Sequence, residues 1–207
     1  MFKHLLIATI LSTSTVYAAT TTKTTKKTTT TTTASIAAEK ITLDPATSKV
    51  TYVGKKVTGS HTGEVKIQSG HLNFSEDTFT GAEVVIDMTT INNTDLTDKE
   101  YNKKFVDHMN SDDFFSTAKY KTATLVVKSA KLVKGTTYNI NADLTIKGQT
   151  HPVKFDADVT KSAVTANLAF DRTKYDVKYG SGKFFQGLGD KMITDDVQLS
   201  VSLQAAK

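Results

Sequence analysis

From residue 138 onward, apolar and polar side chains take strict turns. Tyr138, Ile140, Ala142, Leu144 and Ile146 are interleaved with Asn139, Asn141, Asp143, Thr145 and Lys147. A period of two over ten residues puts every apolar group on one face of an extended strand, and no helix can use such a pattern. The row repeats. Val153, Phe155, Ala157 and Val159 form a second, Val164, Ala166, Leu168 and Phe170 a third, and Val197, Leu199, Val201 and Leu203 a fourth. Weaker candidates precede them at Lys49 to Val53, Glu64 to Gln68, His71 to Phe74, Gly81 to Met88 and Thr122 to Leu132. Ser69-Gly70, Lys134-Gly135 and Lys147-Gly148 read as turns, so sequence neighbours are expected to pair antiparallel. Pro45 and Pro152 stand at strand beginnings, where a missing donor does least harm.

One stretch departs from the pattern. Thr97-Asp98-Lys99-Glu100 reads as a capping box with Thr97 as the cap, followed by Tyr101, Phe105 and Met109 at helical spacing. A single short helix cannot cover the apolar faces of about eight or nine strands, so the sheet must pack on another sheet or close on itself. Long strands and tight turns favour an all-β antiparallel barrel, and eight strands enclose either packed side chains or one small ligand. Ala123, Ala142, Ala157 and Ala166 on the inward rows suit both a cavity and close packing against larger neighbours.

The 207-residue chain carries 26 Lys and Arg against 21 Asp and Glu. Lys3, Lys23, Lys26 and Lys27 precede the first carboxylate, Glu39, so the remainder holds 22 positive and 21 negative groups and is nearly neutral. With one arginine, Arg172, it has no electrostatic funnel for nucleic acid. Residues 1–18 read as a signal peptide: a basic start, an apolar run from Leu5 to Leu11, and Val16-Tyr17-Ala18 before a cut at Ala19. That run falls short of the roughly 20 residues needed to cross a bilayer. Export to a periplasm is the expectation, with secretion beyond it as the alternative. Residues 19–38 read as a Thr/Lys-rich disordered leader, and residues 39–207 as the domain.

Chemistry is hard to place. Cysteine is absent, no G-x-S-x-G occurs, and His61, His71, His108 and His151 lack metal-binding spacing, although His61 and His71 could meet across a hairpin. Asp112-Asp113 and Asp195-Asp196 are adjacent pairs rather than catalytic dyads. No catalytic residue, metal or cofactor is assigned. Tyr175 to Asp190 mixes Tyr175, Tyr179, Phe184, Phe185 and Leu188 with four glycines. Such a loop is expected at a barrel end, as a plug or as a gate.

Four stretches resemble the YceI-like family of bacterial periplasmic lipid-binding proteins. They are Leu43-Asp44-Pro45-Ala46-Thr47-Ser48-Lys49-Val50; His108-Met109-Asn110-Ser111-Asp112-Asp113-Phe114-Phe115 with Lys119-Tyr120; Asp143 to Val153; and Asp171-Arg172-Thr173-Lys174-Tyr175 with Tyr179-Gly180-Ser181-Gly182 and Gly189-Asp190. Thr47, Lys121 and Asp176 depart from the family's usual histidine, proline and glycine. The resemblance implies a lipocalin-like barrel around a polyisoprenoid, an isoprenoid quinone or a fatty-acyl amphiphile. It further implies an apolar lining from Ile86, Met88, Leu125, Ile140, Leu144, Phe155, Leu168 and Phe170 on strands. Phe105, Met109, Phe114, Phe115, Phe184 and Phe185 are expected to close the ends. The expected partner is that ligand, with at most a second copy of the chain and transient membrane contact. An enzyme acting on a lipid or stress metabolite, and a surface-displayed interaction module, are the competing readings.

Overall fold

The alternating rows form the wall of a closed barrel. A computed structural model describes residues 38–207, and the expected signal peptide and all but the last residue of the expected leader lie outside the described residues. The elements run β1 (Ala38–Thr42), β2 (Lys49–Lys56), β3 (Gly59–Ser75), β4 (Thr78–Asp87), α1 (Lys99–Asn110), β5 (Thr122–Lys134), β6 (Thr137–Ile146), β7 (Gln149–Val159), β8 (Ala163–Asp171) and β9 (Asp196–Gln204). Every pairing is antiparallel. β4 through β9 follow one another round the wall, β9 pairs with β2, and β3 closes the circuit by pairing with both β2 and β4. β1 and β2 lie end to end along the same side of β3, so nine strands fill eight positions.

The four long rows point inward as their periodicity requires. On β6, Tyr138, Ile140, Ala142, Leu144 and Ile146 are buried while their polar neighbours face out. Lys147 and Gly148 both have positive φ, 49° and 72°, which gives the β6–β7 connection the twist of a two-residue hairpin. A lysine tolerates this conformation because its buried ammonium is anchored by donation to the Asp176 carbonyl at 3.0 Å.

Three local expectations fail for identifiable reasons. Ser69-Gly70 is not a turn; it lies within the 17-residue β3, where the register against β4 shifts between Ile67 and Ser69. Glycine is needed there for close approach: a Cβ at Gly70 would lie 2.8 Å from Leu43 Cδ1. His61 and His71 therefore share one strand and cannot meet across a hairpin, since ten residues of strand span roughly 33 Å. The helix is capped by Asp98 instead of Thr97, because the Asp98 carboxylate accepts from both Glu100 N and Tyr101 N. Tyr101 also leaves the expected apolar stripe, standing 66% exposed.

The two barrel ends differ. At one, β3–β4 and β5–β6 are joined by two-residue turns, and Phe74, Phe79 and Tyr138 pack edge to face. Tyr138 further ties that end, its hydroxyl accepting from Phe79 N at 3.2 Å. The other end carries both long connections, residues 88–121 and 172–195. Where β4 departs, residues 90–95 take its place beside β3: Asn92 N donates to Glu64 O, Thr94 N to Thr62 O, and Lys66 N to Thr90 Oγ1. That segment delivers α1 across the opening. Asn102 holds the helix there, donating to the carbonyls of Asn93 and Leu96 at 3.0 Å each.

Candidate functional site

The inward rows leave space. A cavity of about 240 Å³ runs inside the barrel, and the side chains around it are overwhelmingly aliphatic and aromatic. Ala123 and Ala166 border it, whereas Ala142 and Ala157 are buried without lining it, so only two of the small residues help to open the interior. Phe105 and Met109 of α1, with Phe114 and Phe115 behind the helix, cover it from the end that carries the long connections. The Phe pair is turned inward by backbone bonds from Phe114 N to Ser111 O and Phe115 N to Met109 O.

Polar groups near the cavity are spent or sit at its rim. Tyr52 is buried and donates its hydroxyl to Asn92 O at 2.7 Å; burial, reinforced by Asp95, pushes its pKa upward. Gly63 makes this contact possible, since a Cβ there would lie 2.0 Å from Asn92 O and 2.4 Å from the Tyr52 hydroxyl. Lys55, Lys56, His61 and Thr194 mark the rim. His61 packs against Phe105, the rings tilted by 55° with centroids 4.7 Å apart, and approaches Asp95 at 3.4 Å. Burial pushes the Asp95 carboxyl up, but donors from Asn93, the Thr62 amide and His61 outweigh it and hold the group below the ordinary carboxylate value. At the throat, on the inward row of Val50, Tyr52, Gly54 and Lys56, a Cβ on Gly54 would meet nothing within 4 Å.

Arg172 anchors the second long connection. Its guanidinium donates to four carbonyls: Thr194 at 3.0 Å, Val177 at 2.9 Å, Tyr179 at 2.8 Å and Ile193 at 3.1 Å. Asp195 Oδ1 stands 3.7 Å from Arg172 Nη2 and accepts no hydrogen bond from the described residues, while its other oxygen receives Lys183 at 3.0 Å. Lys183 also reaches Asp171 at 2.9 Å. Burial raises the Asp171 pKa, and the Thr173 hydroxyl and Lys183 more than reverse it, leaving the carboxyl below its ordinary value. β7 and β8 pair only over Ala157–Val159 and Val164–Ala166, and where they part Tyr175 fills the gap edge-on to His151 and Phe170.

Among the described residues, no group of three His, Cys, Asp or Glu is placed to hold a metal ion. A family model described as the YceI-like domain matches residues 41–205. The chain belongs to the YceI-like family. Its barrel is similar to the crystal structure of BcnA of Burkholderia cenocepacia, with 27% identity and a TM-score of 0.63 over 80% of this chain and 99% of that one. A polyisoprenoid-binding domain from Saccharophagus degradans, described as implicated in plant cell wall breakdown, shares 20% identity and a TM-score of 0.55 over 80% of this chain and 98% of that domain. A mutant YceI protein of Campylobacter jejuni shares the fold at 16% identity and a TM-score of 0.51, covering 74% of this chain and 84% of its own. No curated protein sequence matches the chain.

In this YceI-like barrel the expected lining residues separate into two groups. Ile86, Leu125, Ile140, Leu144, Phe155, Leu168 and Phe170 reach the cavity from strands. Met88 reaches it too, but from a 3₁₀ turn just beyond β4. Phe105, Met109, Phe114 and Phe115 reach it from α1 and the turn after it. Phe184 and Phe185 do not close an end: they stand 50% and 48% exposed. Both of their amides bond to the carbonyl of the fully buried Ser181, which turns the pair outward, and the Lys178 ammonium lies 5.3 Å from the Phe184 ring. Tyr179 of the same loop does pack at the opening, against His108 and Phe114. Periodicity had no means of finding Arg172 or Gly63. Arg172 carried two signals: it is a lone arginine in a chain otherwise supplied with lysine, and it stands in one of the stretches that carry the family resemblance.

Proposed function

We propose that the protein sequesters or carries one long apolar amphiphile, of polyisoprenoid, isoprenoid quinone or fatty-acyl type, in the barrel. The apolar cavity carries this reading. Each buried methylene supplies about 0.8 kcal/mol, so about ten contribute roughly 8 kcal/mol before the costs of association, and no catalysis is required. Membership of the YceI-like family supports it, as does the shared fold of a domain described as polyisoprenoid-binding. We further propose that cleavage after Ala18 sends the protein to the periplasm, on the strength of the apolar run and the small residues before Ala19.

Native mass spectrometry of the purified protein tests both parts. The expected result is a polypeptide beginning at Ala19 that carries one extractable lipid. Organic extracts free of lipid from protein purified without detergent would overturn the carrier reading. Gly54→Trp gives a second test. Its indole enters open space at the throat, so folding should be unaffected while retained lipid falls about tenfold, a loss of about 1.4 kcal/mol. Undiminished lipid in that variant would move the entrance elsewhere.

A further inference from the structure

Four exposed apolar side chains stand on segments that run beside the cavity rim. Val57, Phe184, Phe185 and Met192 stand 56%, 50%, 48% and 38% exposed. Their segments are neighbours: Val57 N donates to Met192 O at 3.2 Å, and Gly182, two residues before Phe184, packs so closely on Met192 that a Cβ would lie 2.9 Å from its sulfur. These segments adjoin the rim directly, since Lys56 pairs with Ile193 and Thr194 N donates to Lys55 O at 2.8 Å.

Two features argue against a merely untidy loop. The Phe184–Phe185 turn is fixed from below by buried Ser181, so the rings are displayed rather than left loose. Burying a phenylalanine is worth about 1.5–3 kcal/mol, and a soluble chain that leaves two adjacent rings in water forgoes that gain unless something covers them. The charges around the rings identify the cover. Lys55, Lys56 and Lys191 have no carboxylate within ion-pair distance among the described residues, and Lys178 lies over the Phe184 ring while pairing with Asp176. Lys183 is neutralised by Asp171 and Asp195, and Asp190 is the acidic neighbour of Lys191. Exposed apolar side chains with unpaired lysines on adjoining residues match a lipid interface, where rings enter the acyl boundary and lysines meet phosphates.

We infer that this end of the barrel docks on an anionic phospholipid bilayer, with Val57, Phe184, Phe185 and Met192 inserted and Lys55, Lys56 and Lys191 against the headgroups. Docking sets the cavity rim on the bilayer, so a chain can pass between membrane and barrel without crossing water. The purpose of docking rests on the proposed cargo; the docking itself does not.

Co-sedimentation of the full chain with phosphatidylcholine vesicles, with and without phosphatidylglycerol, tests the inference, alongside a Phe184→Ser, Phe185→Ser double variant. Binding is expected to require phosphatidylglycerol, to weaken with salt, and to fall about tenfold or more in the double variant. Both positions are exposed, so thermal stability and extracted lipid should be unchanged. Equal vesicle binding by wild type and variant would overturn the inference, because the basic residues elsewhere in the chain are common to both. So would a wild-type dimer that the variant dissociates, which would make a second copy the occupant. Vesicle binding by protein that yields no lipid on extraction would sink the carrier reading and leave the docking surface standing.

Discussion

Replacing Arg172 with methionine is expected to destabilise the protein by about 3–5 kcal/mol, the usual cost of removing one partner from a buried ion pair. Methionine nearly preserves the volume, so lost packing contributes little. What is lost is the donor set: the carbonyls of Val177, Tyr179, Ile193 and Thr194 would be stranded, and Asp195 would keep only Lys183. Burial pulls the guanidinium pKa below its usual value and Asp195 and Asp171 oppose this, yet arginine remains charged throughout the accessible range. Lysine should not rescue the variant, because one ammonium cannot reach four carbonyls set around a planar fork. Denaturant titration of wild type, Arg172→Met and Arg172→Lys measures this. A loss below about 1 kcal/mol, the scale of one ordinary hydrogen bond, would falsify the anchoring role.

Gly63→Val should cost about 3–4 kcal/mol, through overpacking that the site cannot relieve. The new Cβ would collide with Asn92 O and the Tyr52 ring together, and both are held in place. Relief requires residues 90–95 to leave the edge of β3, and α1 is hung from that segment by Asn102. Damage should therefore reach the covering of the cavity, with lipid lost from whatever protein still folds. Tyr52→Phe is the informative companion, since it removes only the hydroxyl and should cost about 1 kcal/mol. Equal stability of Gly63→Val and wild type would show that the close contact relaxes freely.

Strand parity explains why so much of the interior was readable. Once Leu144 faces inward, Ile140 and Ile146 must follow, and β6 through β9 each have an apolar inside and a wet outside. Parity says nothing about places where two segments approach for tertiary reasons. Ser69-Gly70 has turn chemistry, but its glycine answers to Leu43, a residue outside the strand. Phe184 and Phe185 were expected to close a barrel end, and their direction was decided by one buried serine carbonyl. Arg172 is the extreme case. Its acceptors come from residues 177, 179, 193 and 194, and they become neighbours only once the chain has folded back on itself.

Closure of the wall depends on one seam. β2 and β9 pair Val50 with Val201, so the seam joins the two ends of the domain. The meander from β4 to β9 can build through local hairpins, whereas this seam is a non-local pairing with no short connection to help it form. Until it forms there is an open sheet with no enclosed space. A lipid enclosed by the closed wall is therefore expected to slow unfolding of the loaded protein with little change in the refolding rate, which stopped-flow unfolding and refolding measure.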